Sequence, residues 1–180
     1  MVTIAIVAIL AALAAPSFQA FIVRNTFSSI GNEFQGSVLR ARTEAVSKNS
    51  CTTMCMSNTV DNATPFCKQT GQDWQVGWIV FLNTKCDASY GQDASSHAIA
   101  AEDLILVRRP GNTSYTLMAQ SSTLRIQFTP RSTTSGIDSF NLGNTTLSSS
   151  LVIAHAFNIC VDVMGRARSI PSTSTCSNFN

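Results

Sequence analysis

Near the C-terminus the chain reads Gly165-Arg166-Ala167-Arg168. In an extended segment residues two apart point the same way, so Arg166 and Arg168 present two guanidiniums from one face. Arginine keeps its charge and donates bidentately, which suits successive phosphates of a nucleic-acid backbone. Gly165 lets the chain turn, or approach a ligand closely. Arg131, in the Pro130-Arg131 corner, extends this basic patch, and Arg108 and Arg109 join it if the strand order brings them near. The alternative is a pair of surface arginines at a turn, solvated or paired with Asp162. By itself a four-residue basic motif favours that alternative.

Six cysteines, Cys51, Cys55, Cys67, Cys86, Cys160 and Cys176, supply the other possible chemistry. An even, irregularly spaced set behind an apolar segment indicates disulfides, and six cysteines admit fifteen pairings. The preferred set closes a loop with Cys55–Cys67 and the C-terminus with Cys160–Cys176, which leaves Cys51–Cys86. A zinc site from Cys51, Cys55, Cys67 and Cys86 competes, but beyond the first interval the spacings are not those of a zinc ribbon. Met54 and Met56 fit alternate packing on a strand better than soft-metal binding. There are two histidines, His97 in a polar stretch and His155 in an apolar one. Nucleophile elbow, zincin, phosphate-binding loop, dinucleotide fingerprint and C-x-x-C are all missing. The chain is therefore expected to be no enzyme, with no cofactor and no bound metal.

The elements that must carry these residues begin with an uncharged run: the first charged side chain is Arg24. Residues 1–23 are long enough to cross a bilayer, which takes roughly 17–25 residues, and a helix with no polar face must bury all round. A removed signal peptide fits poorly, since no basic region precedes the run. From residue 24 to about 50 the pattern changes. Phe27, Ile30, Phe34, Val38, Ala41 and Ala45 recur at steps of three and four, the stripe of an amphipathic helix. Pro16 is expected to bend this continuous helix of about 70 Å rather than end it.

Residues 51–180 form the head. Only 12% of the whole chain is charged and the net charge is +2, too little to imply nucleic-acid binding without local clustering. Low charge with abundant Ser, Thr and Asn suits a β-rich extracytoplasmic domain. Strands are expected at 51–57, 74–83, 104–108, 114–118, 124–129, 136–142 and 151–163, the last long enough to be bent or bulged. With no second helix expected, the fold class is α+β: a long N-terminal helix packed on an antiparallel β-sheet domain, shaped like a lollipop.

The apolar segment MVTIAIVAILAALAAPSF, with its proline at Pro16, resembles the N-terminal signature of type IV pilins and pseudopilins. The strand Gly77-Trp78-Ile79-Val80-Phe81 resembles that of the FimT/GspH-like minor pilins, and the loop 84–101 follows it as in that branch. Gly165, Arg166 and Arg168 match the C-terminal Gly-Arg-x-Arg motif found in FimT-like minor pilins. The resemblance implies the type IV pilin fold, an inner-membrane single-pass precursor with a periplasmic head, and an extracellular pilus shared with major and minor pilins. It also implies a prepilin peptidase and a methylated N-terminus, although the leader, the cleavage site and that N-terminus are absent from this chain. The motif implies non-specific binding of extracellular double-stranded DNA during uptake in natural transformation through Gly165, Arg166 and Arg168, with the two arginines as principal contacts. Arg131, from the corner noted above, completes the expected contact set. The alternative is a structural tip or priming pseudopilin of a type II secretion system or pilus. An adhesin using the loop 84–101 is a third class, with only the loop's length in its favour.

Overall fold

The computed structural model describes residues 2–136 and 138–176; within the first turns of the helix, side chains are described at Thr3 and from Ser17 onward. Helix α1 (Val2–Ser47) runs unbroken through Pro16. Its 46 residues span about 70 Å at 1.5 Å per residue. The expected membrane-embedded portion falls largely on 1–16, whose side chains mostly lie outside the described residues. Among the described residues no helix is long and apolar enough to cross a membrane. The helix stops where its apolar stripe stops. Asn49 takes φ 47°, and the Ser50 and Asn49 amides donate to the Ala45 and Val46 carbonyls, a left-handed ending that satisfies the last turn.

Val23, Phe27, Ile30, Phe34, Val38, Ala41 and Ala45 form the buried stripe of α1, while Arg24, Asn32, Glu33 and Arg40 stay exposed. Under this stripe lie two four-stranded antiparallel sheets. The first has the order β3-β2-β1-β5, from β1 (Cys51–Met56), β2 (Trp78–Asn83), β3 (Leu104–Arg108) and β5 (Arg125–Phe128). The second has the order β4-β6-β7-β8, from β4 (Tyr115–Ala119), β6 (Asp138–Asn144), β7 (Phe157–Val161) and β8 (Ala167–Pro171). Helix α1 packs on β1, β2 and β5 of one sheet and on β7 and β8 of the other.

Strands β1 and β2 are almost wholly buried because they are covered on both faces. Met54, Met56, Trp78 and Val80 face the helix core. Cys55, Ile79 and Phe81 face a smaller cluster with Val60, Cys67 and Ile99, roofed by Tyr90 of the loop after β2. Cys51–Cys86, Cys55–Cys67 and Cys160–Cys176 are disulfides, with S–S distances of 2.03, 2.02 and 1.98 Å. They consume every thiol a zinc site would need.

Three expectations are corrected. Residues 151–163 are not one strand: helix α2 (Ser149–His155) precedes β7, so a second helix exists and His155 closes its last turn. Leu151-Val152-Ile153 reads as β-prone, but the Ser148 carbonyl accepts from the Leu151 and Val152 amides and starts a turn. Helical spacing then packs Leu151 and Val152 against the core and leaves Ile153 exposed. Gly31 of α1 makes room for the next element, since a Cβ there would collide with the Phe157 ring. Next, the β2 segment starts at Trp78, because Trp74–Val76 is a 3-10 turn capped by Asp73. Finally, β8 is an additional strand, so Gly165–Arg168 leads into the last strand instead of following it.

The centre of the core is Phe34, fully buried. Its ring centroid lies 5.4 Å from that of Trp74, 5.6 Å from Trp78 and 4.6 Å from Phe140. Phe34→Ala is expected to cost about 3–5 kcal/mol. Near-ultraviolet circular dichroism during thermal unfolding checks this, against an unchanged midpoint for Arg24→Ala.

Candidate nucleic-acid interface

The β7–β8 hairpin positions the two arginines. Asp162 N donates to the Arg166 carbonyl (3.1 Å) and Gly165 N to the Asp162 carbonyl (2.9 Å), which leaves a three-residue loop of Val163, Met164 and Gly165. Such a loop ends in a left-handed residue, and Gly165 takes φ +64°. Its missing side chain has a second use, because a Cβ there would lie 2.8 Å from Phe128 Cε1.

Asp162 locks this turn. It is 2% exposed, and Oδ1 accepts from the Met164 and Arg166 amides, both at 2.9 Å. Oδ2 accepts from Arg166 Nε at 2.7 Å. Burial pushes the carboxyl up, but the hydrogen bonds from Arg166 and Met164 and the Arg166 charge together outweigh it. They hold Asp162 below the usual carboxylate range.

Both motif arginines are exposed, and Ala167 between them packs against the core. Arg166 has a side chain 52% exposed and spends Nε on Asp162, so its terminal nitrogens remain available to an outside acceptor. The ion pair and phosphate binding are thus compatible: Asp162 orients the guanidinium and leaves its outer edge in water. Arg168 stands opposite Cys160, which is bonded to Cys176. Arg131 is exposed in the turn after β5, which the Thr129–Thr133 hydrogen bond closes. That turn runs beside the hairpin, since Thr134 N donates to the Val163 carbonyl at 3.0 Å.

Arg108 and Arg109 do not join this patch. Arg108 lies on β3, the far edge of the other sheet, 4.4 Å over the Trp78 ring and 3.1 Å from Glu33 Oε2. Arg109 pairs with Asp61 at 2.6 Å. The basic residue that does approach the hairpin is Arg42 of α1, whose Cδ is 3.5 Å from the position of a Cβ on Gly165. Nothing in the local sequence around residue 165 announces it.

The loop after β2 is ordered by a different network. Tyr90 donates to Asp103 at 2.6 Å, and His97 pairs with Asp93 at 2.7 Å. Hydrogen bonds from the His97 side chain, the His97 amide and the Ser95 amide hold Asp93 far below the ordinary carboxylate range. Among the described residues no group of three or more His, Cys, Asp or Glu side chains is placed to hold a metal.

The family model for type II transport protein GspH matches residues 31–165. The chain belongs to the GspH family. It is a minor pilin or pseudopilin of a type IV pilus or type II secretion system. Its fold is similar to that of the type IV minor pilin FimU of Pseudomonas aeruginosa (strain PAO1) in two crystal forms. In space group P21 the TM-score is 0.57 at 19% identity, covering 87% of this chain and 97% of FimU. In space group P65 the values are 0.54 and 18%, with 83% and 97% covered. Curated protein sequences give no match. The GspH match closes on Gly165, so Arg166 and Arg168 of this family member stand just outside it.

Two outcomes test the lock. Gly165→Ala is expected to cost about 1–2 kcal/mol from its backbone alone, and more from the Phe128 clash, as read by thermal unfolding. Asp162→Asn tests the carboxylate. Its folded pKa lies below the unfolded value of about 3.9, so the stability it adds is present above that pH and is lost as pH falls through the folded value. The variant therefore melts lower than wild type at pH 7, and the gap narrows on acidification below about pH 4.

Proposed function

We propose that this chain is a minor pilin that holds extracellular double-stranded DNA during uptake in natural transformation. The observation that carries this reading is the pair Arg166 and Arg168, exposed on either side of the core-packed Ala167. They sit on a hairpin held by Asp162 and next to the Cys160–Cys176 bond. Two guanidiniums on a rigid edge, with Arg131 in a neighbouring turn, favour backbone phosphates over base edges. Gly165 acts by shaping the turn. Few contacts mean sequence-independent, salt-sensitive binding of micromolar strength or weaker, so several copies along a filament supply avidity.

On this reading the precursor sits in the bacterial inner membrane by the N-terminal half of α1, with a periplasmic head. A prepilin peptidase removes a leader, and the mature chain joins other major and minor pilins in an extracellular pilus. The exposed Phe18, Phe21 and Ile22 on α1 fit burial among like helices. The second reading is a tip or priming pseudopilin of a type II secretion system, and the name of the matched family favours it. Its partners are then other pilins and a secreted protein, and the arginines are incidental.

The test is a salt titration of fluorescence anisotropy, with labelled duplexes of unrelated sequence and the full chain in mild detergent. Wild type is expected to bind all duplexes alike and to weaken with salt. The folded Arg166→Ala/Arg168→Ala variant loses binding, and any residual log K against log salt is shallower by about one to two contacts. No binding by wild type at low salt overturns the DNA reading in favour of the secretion or priming role.

A further inference from the structure

Helix α1 and the β7–β8 hairpin enclose a groove of about 300 Å³, lined by Gln35, Gly36, Leu39, Arg42, Gly165 and Arg166. No acidic residue lines it. Arg42 Nε is buried there without a hydrogen-bond partner, and no ion pair engages its guanidinium among the described residues. The carboxylates of the surrounding elements are all committed elsewhere. Glu44 takes Arg40 and Lys48, Glu33 takes Arg108, and Asp162 takes Arg166. A buried donor left without an acceptor is costly, and a positive side chain in a groove with no acidic lining favours an occupant that brings an acceptor oxygen.

We propose that Arg42 is a phosphate contact of the same DNA interface, so that one strand of the duplex lays a phosphate into the groove between α1 and the hairpin. This rests on the reading of the hairpin as a DNA-binding edge. Gly165 is the link between the two sites. The Arg42 stem lies beside the turn whose next residue is Arg166, with Cδ 3.5 Å from where a Gly165 Cβ would sit. Gly36 keeps the groove open, since nothing lies within 4 Å of a Cβ built on it. Gln35 bounds the groove, with Nε2 held by Ser169 Oγ at 3.0 Å. The interface then spans α1 and β8, and the footprint runs across the helix instead of along the hairpin alone.

Arg42→Gln and Gly36→Leu separate this from the parent reading. Arg42→Gln retains a polar stem but removes the charge. Gly36→Leu fills the groove and leaves every charge in place. Both are measured as the full chain in mild detergent with the labelled duplex, and thermal unfolding verifies folding. Each is expected to weaken binding about three- to tenfold at low salt and to make the salt slope shallower by about one. The double variant is expected to be no weaker than either single one, since both remove the same contact. Unchanged affinity and slope in both variants, while Arg166→Ala/Arg168→Ala abolishes binding, overturns the Arg42 contact and leaves the DNA reading standing. A loss in Arg42→Gln alone reduces Arg42 to a distant field effect and also overturns it. Should Arg42→Gln fail to fold, Gly36→Leu decides. No binding by wild type removes both readings together.

Discussion

The contact on which everything else depends is the insertion of one helix face between two sheets. No strand is shared between them, and the ladder hydrogen bonds of each stop at its own edges. Phe34 joins them. It touches Trp78 of the first sheet, Phe140 of the second and Trp74 of the 3-10 turn before β2, edge-on to both tryptophans and tilted against Phe140. Polar contacts fix the same seating without competing with it. Trp78 Nε1 donates to the buried Ser37 hydroxyl, which itself donates to the Glu33 carbonyl, and Thr52 donates to the Ala41 carbonyl. Each buried polar atom named here has its partner, so the helix cannot slide by a turn without stranding several of them.

The hairpin at the edge of the second sheet inherits its rigidity from that seating. Phe128 comes from the first sheet and Ala167 from the second, and Arg42 comes from the helix, yet all three converge on Gly165 or its neighbour. The turn thus reports the relative position of three elements. Asp162 serves both structure and charge. A buried carboxylate alone would be unfavourable, but three donors surround it, and one is the side chain that the turn displays.

How much of this was legible in the sequence depends on the range of the interaction. The helix stripe was visible because Phe27 to Ala45 repeat at helical spacing, and the GWIVF strand because it is aromatic and β-branched. The α+β class follows from these and from the close spacing of the later strands. What failed was local propensity overridden by context. Leu151-Val152-Ile153 looks like a strand but forms part of a helix of about two turns, because Ser148 starts one and α1 packs against it. β8 was hidden because Ala167–Pro171 has little β signal and is a strand only by pairing with β7. Arg42 was invisible as a neighbour of Gly165 for a simpler reason. Only the tertiary fold brings the two together.

The disulfides also determine how tension passes through the molecule. Pulling on the far end of α1 delivers load directly to β1, the next element, which sits between β2 and β5. That strand is cross-linked at Cys51, its first residue, and again at Cys55. Unspooling from the helix side therefore meets a covalent bond at its first step. The opposite end is clamped as well, since Cys176 ties the segment after β8 back to β7. A head built this way takes load from either end into strands that are already cross-linked.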